Sequence, residues 1–247
     1  NITRTIKLLC DRQKVIQTLK EIVFNKEFNS YEVKHVQELV EKHYWIFGEQ
    51  YNLITSAEPD FELALKGMIK AEMGIEEEVH IEHPDKNKEM DLYMIRQDRQ
   101  GRVTENVVVE LKRPKIKLGE KELSQVKKYM RVIKNTPRFN AGNVKWTFYL
   151  VGNEFDKSLY IPGELESHKF LGEQHLVHCQ DNGLTKIYVL KWSEIFDDYS
   201  KRHDFLMEHL KLEEKLWLET HESADDAVTA VENNSATSVS YTHLTLP

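Results

Sequence analysis

Apolar residues recur at helical spacing twice near the start of the chain. Val15, Ile16, Leu19, Ile22 and Val23 mark a helix over 11–24, and Val33, Val36, Leu39 and Val40 mark a second over 30–42, with Ser30 placed to cap it. The aromatic run from His43 to Phe47, closed by Gly48 and followed by Tyr51, reads as a core plug under the second helix, with Trp45, Phe47 and Tyr51 as support. Residues 60–74 fit a short helix stopped by Gly74. From Glu77 the period changes to two. Val79 and Ile81 alternate with His80, Glu82 and His83, a second run spans Met90–Arg96, and a third spans Val107–Leu111; the turns between are short and polar. Three such strands predict an antiparallel meander. A helix over about 119–134 turns Leu123, Val126, Met130 and Ile133 inward and ends before Pro137. Lys145–Val151 then reads as a buried strand, and the intervening helix makes it a parallel crossover neighbour. Residues 153–184 look irregular, Ile187–Leu190 form a strand, and Trp192–Leu218 form a helix. Periodicity vanishes over 222–247, which reads as a disordered or non-native tail. The expected fold is therefore α/β: a mixed central sheet, antiparallel meander plus parallel crossover strand, flanked by helices.

Composition narrows the class. A 40% apolar chain of 247 residues supports a real core. Cys10 and Cys179 lack metal-ligand spacing and fit a reducing, cytoplasmic setting. No apolar run is long enough for a membrane span, and no Gly-rich phosphate loop supports a nucleotide cofactor. The chain opens on Asn1 rather than Met, which points to upstream sequence joined through the helix within 1–29. Net charge is −7, yet eleven basic residues between Lys112 and Lys145 face only Glu120 and Glu122. A basic stripe on an acidic protein suits a phosphate backbone. Arg113, Lys115, Lys117, Lys121 and Lys128 are its candidate nucleic-acid contacts, with Arg113 and Lys115 expected to touch backbone rather than bases.

The stripe begins where the candidate chemistry lies. In Glu105-Asn-Val-Val-Val-Glu110-Leu-Lys112-Arg-Pro114, alternation puts Glu110 and Lys112 on one face at a strand end. Asp91 belongs to the preceding strand. Two carboxylates supply hard oxygen ligands for Mg²⁺ or Mn²⁺, ions that keep waters and a substrate phosphate in their other positions. Lys112 then positions or deprotonates the attacking water, or steadies the phosphate. On the next helix Gln125 and Tyr129, four apart, share a face and can hold that water, the Lys112 amine or a nucleic-acid strand.

An acid on one strand, Glu-x-Lys on the next and Gln-x-x-x-Tyr on the following helix resemble the PD-(D/E)xK nuclease superfamily in its RecB-type arrangement. Trp45–Tyr51 (Trp-Ile-Phe-Gly-x-x-Tyr) and Glu110–Pro114 (Glu-Leu-Lys-Arg-Pro) further resemble the nuclease domain of Shedu anti-phage defence proteins, over about residues 30–150. The resemblance implies a restriction-endonuclease-like core within a 30–221 domain, metal-dependent cleavage of DNA, and assembly into a homo-oligomer. It implies catalytic roles for Asp91, Glu110, Lys112 and Gln125, metal ligation by Asp91 and Glu110, and support from Tyr129. Two departures stand out. Asp91 lacks a preceding Pro, and the literal Pro84-Asp85 falls in a turn, so Asp85 ranks behind Asp91. The acid that the superfamily often adds from its first core helix is Glu38 or Glu41, and the sequence does not separate them. His80 and His83 read as surface residues. The alternative is a catalytically silent nucleic-acid-binding or oligomerisation module with the same fold; a weaker one is a structural domain whose basic stripe meets an acidic partner.

Overall fold

The computed structural model describes residues 2–24, 33–48, 51–56, 91–97, 104–135, 144–203 and 208. Its helices are α1 (Ile2–Phe24), α2 (Val33–Lys42), α3 (Glu120–Lys134), α4 (Tyr160–His168) and α5 (192–203). Its strands are β1 (Asn52–Ser56), β2 (Leu92–Gln97), β3 (Thr104–Leu111), β4 (Lys117–Leu118), β5 (Val144–Gly152), β6 (Glu154–Phe155), β7 (Leu176–Gln180) and β8 (Thr185–Lys191). Residues 11–199 make one compact unit, and 1–10 with 200–247 make another. The sheet and the candidate site belong to the first.

Six strands run in the order β1-β2-β3-β5-β8-β7. β1, β2 and β3 pair antiparallel; β3, β5 and β8 pair parallel; β7 returns antiparallel on β8. This is the expected mixed sheet flanked by helices, a restriction-endonuclease-like core. β3 and β5 read as continuous apolar runs because both faces are covered, as parallel strands require. They align from Thr104 opposite Val144 to Leu111 opposite Val151. On one face Val108, Phe148 and Ile187 meet Leu123, Val126 and Ile133 of α3 in the main core. On the other, Phe47 stacks on Tyr149 at 6.1 Å, while Trp45 takes the Arg12 guanidinium at 4.7 Å and lies 5.7 Å from Tyr199. The aromatic plug thus sits against the sheet as its composition suggested.

α3 starts on Gly119, which has no side chain to cap it. Glu122 compensates by accepting the Gly119 N–H at 3.1 Å. Glu120 and Glu122 in the first turn and Arg131 and Lys134 in the last complement the helix dipole. The parallel pair β4 and β6 brings Leu118 against Gly152, where an added Cβ would lie 2.7 Å from a Leu118 methyl, so the crossover closes tightly on β5.

Some expectations need correction, and others fall on residues outside those described. The strand beside β2 is Asn52–Ser56, irregular between Leu53 and Thr55; five residues without clean alternation give little signal. The stretches 60–74 and 77–88, with His80, His83 and Asp85, lie outside the described residues, as do Ser30 and 222–247. Residues 153–184, expected to be irregular, hold β6, α4 and β7. Leu159 and His175 sit at φ 60° and 65°, and these left-handed residues break any continuous period at the entries to α4 and β7. Finally, α1 begins at Ile2 rather than near residue 11. The helix expected over 192–218 is seen over 192–203 and at 208, with 204–207 and 209–218 outside the described residues. No described helix is long and apolar enough to cross a membrane.

Burial pushes the Tyr149 and Tyr188 phenols above the usual tyrosine range, and Tyr188 also donates to Glu173. The folded state therefore holds these protons more tightly than the unfolded chain does. Their contribution to stability is complete below about pH 10 and is lost as pH rises past it. Urea midpoints measured between neutral pH and pH 11 are expected to fall above about pH 10. The Tyr188→Phe variant should fall less steeply; a slope equal to the parent's contradicts the assignment.

Candidate functional site

Lys112 lies one residue past β3, but its N–H still donates to Val151 O at 2.8 Å. That bond extends the β3–β5 pairing, keeps the chain straight and leaves Lys112 on the side of Glu110. Lys112 Nζ accordingly reaches Glu110 Oε1 at 2.6 Å. α3 supplies the rest. Gln125 Oε1 accepts from Lys112 Nζ at 2.7 Å, and Gln125 Nε2 donates to Glu110 Oε1 at 2.7 Å and to Tyr129 Oη at 2.8 Å. Tyr129 Oη donates to Glu110 Oε2 at 2.8 Å. An ammonium has no acceptor, so the Gln125 amide can only turn its oxygen to Lys112.

Glu110 is only 6% exposed. A carboxylate so buried needs hydrogen-bonding partners, and Glu110 has an ammonium, an amide and a phenol. Burial, reinforced by the Glu110 charge, drives the Tyr129 phenol well above the ordinary tyrosine range, so it remains a donor.

Asp91 enters from the neighbouring strand. Leu92 pairs with Val109, and the same register sets Asp91 opposite Glu110 on one face of the sheet. Asp91 is buried, and its Oδ2 accepts the Leu111 N–H at 2.5 Å. Gln37 of α2, 5% exposed, points Nε2 at the Asp91 carbonyl at 3.4 Å. Charge and metal-ligand patterns do not single out Gln37; the available signal is an amide between Val36 and Val40 on the apolar face of α2. Of the two helix acids, Glu38 is exposed, whereas Glu41 is half-buried and follows Gln37 by one turn on the same side. The fold thus gathers Asp91, Glu110, Lys112, Gln125 and Tyr129 at one end of the sheet.

The basic stripe is smaller than the sequence count. Acids from other segments reach it: Glu154 lies 2.9 Å from Lys117, Glu164 3.8 Å from Lys127 and Glu105 3.1 Å from Lys145, and Asp181 pairs with Lys134. Arg113, Lys115, Lys121, Lys128 and Arg131 are exposed and have no acidic partner among the described residues. Lys121 and Lys128 follow one line along α3, with Arg131 about 60° further round, and Lys121 stands about 40° around the helix from Gln125. An open cationic track therefore borders the buried network.

Among the described residues no three His, Cys, Asp or Glu side chains gather in a metal cluster. Asp91 and Glu110 offer two carboxylates, the donor set of a Mg²⁺ that keeps most of its waters, and they offer no soft ligand for zinc.

Residues 66–150 match the family model described as type I restriction enzyme R protein N terminus. The matched segment takes in Asp91, Glu110, Lys112, Gln125 and Tyr129, together with β2, β3, α3 and most of β5. Comparison with curated proteins and with solved structures returned no match. The site accordingly lies in a restriction-enzyme-like, DNA-related setting.

Proposed function

We propose that this chain is a Mg²⁺- or Mn²⁺-dependent deoxyribonuclease of the Shedu type, acting in anti-phage defence as a cytoplasmic homo-oligomer. The observation that carries the reading is the buried Glu110–Lys112–Gln125–Tyr129 network beside Asp91, inside a restriction-enzyme-like segment. Asp91 and Glu110 would hold the metal, which supplies Lewis-acid stabilisation of phosphate charge and a more acidic water. Lys112 lies where an ammonium can steady a phosphate oxygen or the attacking water, and Gln125 orients it through a single bond. Tyr129 fixes the second oxygen of Glu110, so the carboxylate cannot rotate away. Glu41, on the Gln37 side of α2, is the helix acid we assign in support, in preference to Glu38. Arg113, Lys115, Lys121 and Lys128 would follow the phosphate backbone, and Lys117, engaged by Glu154, would contribute less.

The test incubates plasmid and linear DNA with the purified protein in Mg²⁺ and in EDTA, alongside Glu110→Ala and Lys112→Ala. Cleavage is expected only from the parent and only with metal; equal cleavage by parent and variants removes the assignment. A parallel binding titration reads the cationic track. Replacing Arg113, Lys115, Lys121 and Lys128 by Ala should flatten the log-affinity against log-salt slope by about three to four. Steep salt-dependent DNA binding with no metal response would instead identify a silent binding module.

A further inference from the structure

Lys112 is placed where it opposes the very ion the site is built to receive. Its ammonium lies 2.6 Å from Glu110 Oε1, and Gln125 holds it there from the other side at 2.7 Å. The Lys112 side chain is 15% exposed and that of Glu110 7%, so bulk water does little to screen the pair. We propose that Lys112 is an electrostatic gate on the metal site: its ammonium is the resident counter-ion of Glu110 and resists a divalent cation until a DNA phosphodiester draws the ammonium onto itself. This rests on the nuclease reading above.

Charge balance carries the argument. Counted over the two proposed ligands and the ammonium beside them, Asp91, Glu110 and Lys112, the site carries one net negative charge; Glu41, assigned in support on α2, is not a ligand in this count. A dication turns that into one net positive charge inside a buried site, with the ammonium and the ion competing for one carboxylate oxygen. Uncompensated charge in such a place is costly. A phosphodiester brings a single negative charge, which cancels the excess and gives Lys112 a new acceptor. With a neutral side chain at 112 the two carboxylates alone match a dication, and no phosphate is needed. Metal and DNA therefore bind cooperatively in the parent protein, each tightening the other by one factor.

The experiment titrates Mn²⁺ calorimetrically into the full chain and into Lys112→Met, Lys112→Gln and Lys112→Arg, first without DNA. The two neutral variants should bind Mn²⁺ on the order of tenfold more tightly than the parent, and Lys112→Arg should stay as weak as the parent. A cleavage-resistant phosphorothioate duplex should then tighten Mn²⁺ binding to the parent by a similar factor and to Lys112→Met far less. On the parent alone, a duplex whose backbone charge is removed as methylphosphonate should tighten nothing, which keeps the test decisive if the neutral variants do not fold. Mn²⁺ binding that is indifferent to residue 112, or equal tightening by charged and uncharged duplexes, overturns the gate and leaves the nuclease reading standing. No Mn²⁺ binding by any form, with or without DNA, overturns that reading and the gate with it.

Discussion

Glu110→Gln is expected to lower the rate of metal-dependent DNA cleavage by at least on the order of 10²-fold while the chain still folds. The substitution keeps the size of the side chain and one oxygen for Lys112, while the NH₂ that replaces Oε2 donates to the Tyr129 hydroxyl instead of accepting from it. What it removes is the charge that lies beside Asp91 at this end of the sheet and that, on the proposed reading, would hold a hard cation. It also leaves Lys112 without a counter-ion in a half-buried place, and stripping one partner from a buried pair costs about 3–5 kcal/mol at the upper end. Rate and stability therefore fall together in the single variant. Adding Lys112→Met removes the orphaned charge, so melting temperature should recover in the double variant while single-turnover cleavage stays lost. Cleavage that persists in Glu110→Gln, or that returns with the recovered stability, would show that the carboxylate serves the fold and not the chemistry.

Phe148→Ala is expected to cost about 3–5 kcal/mol, a loss that falls on the fold and leaves the site's own groups untouched. Phe148 is fully buried at the middle of the central parallel strand, level with Val108 of β3 and Ile187 of β8, under α3. Both neighbouring strands are fixed by ladder hydrogen bonds, so the gap left by the ring has little room to collapse. A urea titration followed by far-UV circular dichroism should show a markedly lower midpoint at an unchanged slope. A shift below about 1 kcal/mol would mean that α3 settles into the space, and the α3 side of the core would then be looser than its burial indicates.

The sequence displays the β3–α3–β5 passage because three independent signals coincide there. A valine run marks a strand covered on both faces, an apolar stripe at helical spacing marks α3, and Pro114 and Gly119 punctuate the link. Glu110, Lys112, Gln125 and Tyr129 fall at fixed places on those elements, so their convergence follows from strand alternation and one helical turn. Asp91 needs the strand register as well, and alternation within one strand does not set its register against the next. β1 is illegible because Asn52–Ser56 is short and irregular in its pairing, and α4 and β7 because left-handed residues stand at their entries. The basic stripe is overcounted for a different reason. Glu154, Glu164 and Asp181 lie beyond the counted window in sequence and beside it in space. Gln37 gives no sign because an amide carries no charge, although it is buried against the Asp91 carbonyl.

The four bonded members of the network come from a single passage of twenty residues, Glu110 to Tyr129, while Asp91 stands just before a different strand, β2. Heredity treats these two parts differently. A recombination event that transfers the passage carries the whole network intact, packed on its own helix and already balanced in charge. The opposing carboxylate must be found in the recipient sheet. Conversely, a lineage that drifts at Asp91 keeps its helix and its open track of cations, but forfeits the second carboxylate together with the acceptor of the buried Leu111 N–H. On the proposed reading, one codon then separates a nuclease from an inert scaffold, and the same change is felt in the stability of the strand end that carries Glu110.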